Sequence, residues 1–168
     1  DETYRDFLTD DDGPPHNLIP EQGWDETLIQ LYSFSKSYSL TGYRVGAISA
    51  SERVIKAIAK IMDTMQICTP RISQDAALYG LQHCGDWVAG KRDMLGEREA
   101  ALKEVFRNDD LAYHLVSAGG YFAYIRHPFE HLSAKEVARM LAKDHNILCL
   151  PGSFFGPGQE RFLRFAFA

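Results

Sequence analysis

Ser33-Phe34-Ser35-Lys36-Ser37-Tyr38-Ser39-Leu40-Thr41-Gly42-Tyr43-Arg44-Val45-Gly46 is the stretch whose reading decides the fold of this 168-residue chain. From Thr27 to Phe34 the chain carries enough β-branched and aromatic residues for a strand, and Val45 to Ala50 is a second short apolar run. Leu40-Thr41-Gly42 reads as a turn between them. A lysine therefore stands just past a strand end, with hydroxyls before it and an arginine after a glycine turn. An amine forms a Schiff base only when neutral, a form favoured by apolar or cationic neighbours. Arg44 supplies a planar fork suited to bidentate phosphate binding, and Ser33 and Ser35 supply hydroxyl donors. Such a loop would hold a phosphorylated aldehyde at both ends. In isolation, a Ser-x-Ser-Lys segment reads more simply as a solvated polar connection.

Working outward, the hydrophobic period changes at Ser51. That residue can cap a helix with Val54, Ile55, Ile58, Ile61 and Met62 on one face. After Pro70, Ile72 to about Phe106 reads as one long helical stretch with Gly80, Gly85, Gly90 and Gly96 as weak points. Its charged, amphipathic second half could bridge two domains. Beyond Arg107-Asn108-Asp109-Asp110 the pattern becomes compact α/β. Tyr113–Val116 and Tyr121–Ile125 are expected strands around a Ser117–Gly120 hairpin turn. Ser133 with Glu136 forms a capping box for a helix to about Lys143, and a short strand follows over Ile147–Leu150. A Pro/Gly-rich loop over Pro151–Gly158 precedes a last strand over Arg161–Ala168. On the N-terminal side, Asp10 to Gly23 is rich in Asp, Pro and Gly and is expected to be a surface loop.

A hydrophobic content of 45% is that of a globular protein with a real core. The net charge of -5, without a basic stripe, argues against a nucleic-acid partner. No stretch reaches the ~20 apolar residues that span a bilayer, so no membrane partner is expected. The opening Asp1-Glu2-Thr3-Tyr4-Arg5-Asp6 does not resemble a signal peptide. Cys68, Cys84 and Cys149 lack CxxC spacing and are expected to be reduced, mostly packed thiols of a cytoplasmic protein. The six histidines show no metal-ligand spacing and are expected at the surface or at caps, so no metal site is expected. Met62, Met65 and Ile67 are expected to pack rather than to line a cofactor.

The full string, Ser-Phe-Ser-Lys followed by Leu-Thr-Gly-Tyr-Arg-Val-Gly, resembles the cofactor-lysine signature of class I/II aminotransferases. These are pyridoxal-phosphate (PLP) enzymes of fold type I. The resemblance covers essentially the whole chain. Asp1-Glu2-Thr3-Tyr4 is similar to the family's Asp-Glu-x-Tyr, and Ser117-Ala118-Gly119-Gly120-Tyr121-Phe122 to its Gly-Gly-aromatic turn. Leu150-Pro151-Gly152-Ser153-Phe154-Phe155-Gly156 resembles its Pro-Gly-x-x-Phe-Gly loop. Leu163-Arg164-Phe165-Ala166-Phe167-Ala168 resembles the strand whose arginine clamps the substrate α-carboxylate.

What the resemblance implies is specific. The fold is α/β, the C-terminal part of a fold type I PLP-transferase. Residues 1–70 would end the large PLP-binding domain, 71–107 would form an interdomain helix, and 108–168 a small α/β domain. Lys36 would be the catalytic lysine bonded to PLP. Asp1 would pair with the pyridine nitrogen, Tyr4 with the phenolic oxygen, and Ser33, Ser35 and Arg44 would hold the cofactor. Arg164 would bind the substrate carboxylate. The activity implied is transamination between an α-amino acid and a 2-oxo acid by a homodimer. A PLP-dependent β-lyase or related carbon–sulfur lyase or synthase uses the same scaffold, and so does the PLP-binding domain of some transcription regulators. The family's phosphate loop, ring-stacking aromatic and neighbouring asparagine precede the matched region. The 168 residues alone are therefore expected to bind PLP poorly and not to transaminate.

Overall fold

The computed structural model describes residues 1–8, 13 and 15–168. Of the loop expected over 10–23, residues 10–12 and 14 lie outside the described residues. Contacts divide the chain into two compact units, Asp1–Asp93 and Met94–Ala168.

In the first unit, helix α1 (Trp24–Thr27) leads to strand β1 (Gln30–Ser33), which pairs antiparallel with β2 (Gly46–Ser49). The expected strand over Thr27–Phe34 is thus shortened at both ends. Trp24 already accepts a helical bond from Leu28 N, and Phe34 opens a second helical turn, α2 (Phe34–Ser37). The two strands approach closely at Gly46, where a Cβ would stand 2.7 Å from the Tyr32 carbonyl oxygen. Helix α3 (Glu52–Met65) starts where the sequence places it, with Ser51 Oγ accepting from Val54 N at 3.3 Å. Its apolar face is not packed as expected: no α3 residue is buried, and Met65 and Ile67 are 78% and 74% exposed.

The stretch expected as one helix is two, α4 (Arg71–His83) and α5 (Gly85–Val105). Cys84 breaks it with φ -109° and ψ 19°, outside the helical well. Gly80 stays helical and has another use, since a Cβ there would lie 2.7 Å from the Tyr38 ring. The core of this unit is Phe34, Val45 and Ala77, with Tyr32, Tyr38 and Leu40 against it.

In the second unit, β3 (His114–Gly119), β4 (Phe122–Arg126), β5 (Leu150–Pro151) and β6 (Phe162–Ala166) form an antiparallel sheet in the order β3-β4-β6-β5. Gly119 pairs with Phe122, so β3 continues through the residues expected to turn, and the turn itself is Gly120-Tyr121. Gly120 takes φ +57°, the left-handed conformation that glycine adopts without a Cβ penalty. Helix α6 (Ala134–His145) carries the expected capping box at Ser133 and Glu136. Its buried face, Ala134, Val137, Ala138 and Leu141, packs with Cys149 and Leu163 into the core of the unit.

Two expectations about single residues are corrected. His127 is fully buried rather than superficial, because its backbone N donates to Arg161 O and its Nε2 lies 3.0 Å from Glu160 O. Cys68 is exposed, while Cys149 is packed in the core.

Candidate functional site

Lys36 sits in a helical turn whose root is buried. Ser33 Oγ caps the turn by accepting from Ser35 N at 3.2 Å, and Phe34, Ser35 and Ser37 are all buried. Phe34 contacts Tyr32 edge-to-face at 5.1 Å and Tyr38 at 5.6 Å, while its backbone N donates to Val45 O. With its neighbours pinned on both sides, Lys36 is the half-exposed member of the turn. Downstream, Arg44 takes a left-handed backbone (φ 53°) and is exposed, with Nη1 donating to Thr41 O at 3.1 Å. Ser73 from α4 holds this bend through Oγ donating to Tyr43 O at 2.7 Å.

The N-terminal segment lies on the same strand. Glu2 N donates to Leu31 O at 2.8 Å, and Gln30 Nε2 donates to the Glu2 carboxylate at 2.9 Å. Burial pushes the Glu2 carboxyl up, but hydrogen bonds from Gln30 and His16 and the nearby Arg5 charge outweigh it, leaving it below its usual range. The Tyr32 hydroxyl donates to Asp6, and burial together with that carboxylate raises the phenol well above its ordinary value. These bonds lay Asp1–Tyr4 against the strand that ends at Ser33. Asp1 is exposed, and its Oδ1 accepts from Thr3 N at 3.0 Å and Thr3 Oγ1 at 2.6 Å. Asp1 and Tyr4 line one concavity, with Glu2, Arg5, His16 and Gln30; Arg44 lines a different one with Ser39, Tyr43 and Ser73. The structure thus joins the Asp1–Tyr4 segment to the Lys36 strand without gathering Asp1 and Arg44 into one cavity.

In the second unit Arg164 lies on β6, between Tyr124 of β4 and Leu150 of β5. Its guanidinium carbon stands over two rings, 4.1 Å from the Phe122 centroid and 4.3 Å from that of Phe155. Arg164 Nε is buried and has no hydrogen-bond partner among the described residues. A guanidinium is a planar fork of donors, the chemistry that can bind a carboxylate bidentately. The loop carrying Phe155 is fixed by Gly152, where a Cβ would lie 2.5 Å from Gln159 O, 2.7 Å from Phe162 O and 2.8 Å from the Tyr124 hydroxyl.

Two features escaped the sequence reading. The stacking role of Phe122 and Phe155 was signalled only by their places in two matched motifs. Lys91, which reaches the Lys36 turn from α5, gave no local signal at all. No group of three or more His, Cys, Asp or Glu able to hold a metal occurs among the described residues. Among them, too, no helix is long and apolar enough to cross a membrane.

Known proteins resemble this chain in sequence and in fold. An aromatic aminotransferase of Arabidopsis thaliana is 29% identical over 99% of this chain and 41% of its own length. An LL-diaminopimelate aminotransferase of Aquifex aeolicus is 26% identical over 98% of this chain and 42% of its own. Among solved structures, an aminotransferase from Staphylococcus aureus superimposes with a TM-score of 0.87, at 25% identity over 99% of this chain and 43% of that one. The chain therefore spans less than half the length of the relatives it matches, and its fold is that of the corresponding part of a fold type I aminotransferase. The family model for aminotransferase class I and II matches residues 1–168, and the chain belongs to that family.

Proposed function

We propose that the protein of which these residues form the matched part catalyses transamination between an α-amino acid and a 2-oxo acid, with Lys36 as the lysine that bonds PLP. The family uses pyridoxal phosphate. The observation that carries the reading is the bond from Glu2 N to Leu31 O. It lays the Asp1–Tyr4 motif on the strand that delivers Lys36, although about thirty residues separate the two in sequence.

The donor set suits the cofactor. The Ser33 and Ser35 hydroxyls and the Arg44 guanidinium would take the phosphate, Tyr4 the phenolic oxygen, and Asp1 the protonated ring nitrogen. When bound, PLP supplies an electron sink for the carbanion left at the substrate Cα. The residues do the rest. Arg164, steadied against Phe122 and Phe155, would hold the substrate carboxylate through its planar fork. Lys36 Nζ takes the proton from the substrate Cα as general base and returns a proton as general acid. Asp1 would keep the ring nitrogen protonated, as a neighbouring carboxylate does for any cationic acid.

In this reading residues 1–70 belong to the large domain, 71–107 to an interdomain helix and 108–168 to the small domain. The unpaired thiols Cys68, Cys84 and Cys149 support a reducing, cytoplasmic setting, and the family resemblance supports a homodimer.

The test uses the full-length protein loaded with PLP. Borohydride reduction and peptide mapping should place the adduct on Lys36, and Lys36→Ala should abolish turnover. Amino transfer to an added 2-oxo acid with ping-pong kinetics supports transamination; release of ammonia and pyruvate without transfer makes the protein a lyase. PLP bound with Lys36 unmodified overturns the assignment.

A further inference from the structure

The turn that carries Lys36 is strained at its exit. Ser39 holds φ 54°, a left-handed conformation that a non-glycine residue keeps only where its surroundings fix it. What fixes it is Lys91, in the first half of α5. Its Nζ donates to the carbonyl oxygen of Lys36 itself at 3.2 Å and to Ser39 Oγ at 3.0 Å. One helical turn earlier, Trp87 lies beneath the same ammonium with its ring centroid 4.5 Å away, and Phe7 lies at 5.7 Å. Lys91 pairs with no carboxylate among the described residues, and burial lowers its pKa. A half-buried cation is thus committed to two neutral acceptors, both on the cofactor-lysine turn.

A stabilising role elsewhere would not need this arrangement. An ammonium on a surface helix reaches solvent or an acidic neighbour, as Lys103 does with Glu99 on the same helix. Lys91 instead lies over two rings and spans 55 residues of sequence to reach the backbone of Lys36. Charge-assisted bonds to a carbonyl fix the orientation of its peptide, and with it the direction in which the Lys36 side chain leaves the turn.

We propose that Lys91, seated on Trp87, is a positioning residue for Lys36. It holds the Lys36 peptide and the left-handed Ser39 in the one geometry from which the Lys36 amine engages PLP. This rests on Lys36 being the cofactor lysine.

The experiment compares the full-length parent protein with Lys91→Met, which keeps the apolar stem but no donors, and Lys91→Arg, which can bond both acceptors and stack on Trp87. Two readouts are taken. In cofactor-free protein, hydrogen exchange of peptides covering residues 36–44 should be about tenfold faster in Lys91→Met and restored in Lys91→Arg. In protein given PLP, the visible absorbance of the adduct and the borohydride-trapped fraction on Lys36 should require about tenfold more PLP in Lys91→Met, and within about threefold of the parental amount in Lys91→Arg. If the parent traps PLP on Lys36 and Lys91→Met does so equally, the positioning role is overturned while the function stands. If the parent traps nothing on Lys36, the functional reading falls and this inference with it. Unchanged exchange over residues 36–44 in Lys91→Met refutes the tether itself.

Discussion

Gly152→Ala should loosen the second unit severely, although it adds a single methyl group. The new Cβ would meet Gln159 O at 2.5 Å, Phe162 O at 2.7 Å and the Tyr124 hydroxyl at 2.8 Å. Ordinary contact begins near 3.4 Å, so the three oxygens must withdraw by roughly 0.6–0.9 Å. Two of them belong to backbone on either side of the start of β6, and that strand cannot shift without moving Leu163, which is fully buried. Overpacking of this kind costs about 1–3 kcal/mol. Displacing Tyr124 and Gln159 also strains their hydrogen bond, 2.7 Å long, at about 1 kcal/mol more. The expected loss is about 2–4 kcal/mol, which corresponds to amide exchange about 30- to 900-fold faster over α6 and β6 under native conditions. Gly119→Ala is the matched control. Its Cβ would have nothing within 4 Å and its φ is not positive, so exchange should be unchanged or slower. The assay is hydrogen-exchange mass spectrometry of both variants against the parent. Exchange over α6 and β6 in Gly152→Ala within about threefold of parent would refute the reasoning. It would mean that the loop before β6 yields without disturbing the strand.

Other perturbations test separate parts of the molecule. Arg164→Lys keeps the charge but loses both ring stacks and the planar fork; a loss of about 2 kcal/mol or more is expected, seen as a fall of at least about 30-fold in kcat/KM for the amino donor in the full-length enzyme. A parental kcat/KM would remove Arg164 from substrate binding. Ser133→Ala removes the cap of α6 and should destabilise the second unit by about 1 kcal/mol at pH 7, measured by urea titration. The Ser133 bonds hold the Glu136 carboxyl below its ordinary 4.5. Its contribution is therefore present above that value and lost as pH falls through the lowered folded one, so the gap between Ser133→Ala and parent should narrow in acid. Cys149, buried with its thiol pKa raised by that burial, should resist alkylation in the native protein, while exposed Cys68 reacts first; mass mapping after brief labelling decides.

What the sequence disclosed follows the range of the interactions that built it. The capping box at Ser133 and Glu136 spans three residues, and the Lys36 turn is capped by Ser33 from within its own motif. The box is legible because its partners are neighbours in the chain; the helical turn at Lys36 is not, because Phe34 also fits the end of a strand. Nor is the length of the hairpin turn. Two adjacent glycines suggested a turn starting at Ser117, yet only Gly120 needs a positive φ, and cross-strand bonding to β4 carries β3 through Gly119. In the helical stretch, four glycines looked like weak points, but the break falls at Cys84, and Gly80 is small because the Tyr38 ring needs the room. Nothing near His127 in the sequence points to its burial, because its partners, Glu160 and Arg161, are more than thirty residues away. The amphipathic period of α3 correctly announced a helix, yet no residue of α3 is buried in this structure. Periodicity states that a face has to be covered and leaves open what covers it.

The two functional side chains of the proposal are held by different means to one end. Lys36 emerges from a four-residue turn between the buried residues Ser35 and Ser37, and its own carbonyl is held by Lys91. Arg164 emerges from a strand next to the fully buried Leu163, and its guanidinium rests over Phe122 and Phe155. In each case the reactive group is the flexible end of a long side chain, which loses up to about 2 kcal/mol of rotamer freedom when ordered. Spending packing contacts on the base of the turn or on the flat of the guanidinium removes part of that freedom before any ligand arrives. Truncating the supports, Phe155→Ala or Lys91→Met, should therefore weaken ligand binding while leaving the nominal site residues in place. That separates positioning from chemistry in a way that changing Lys36 or Arg164 cannot.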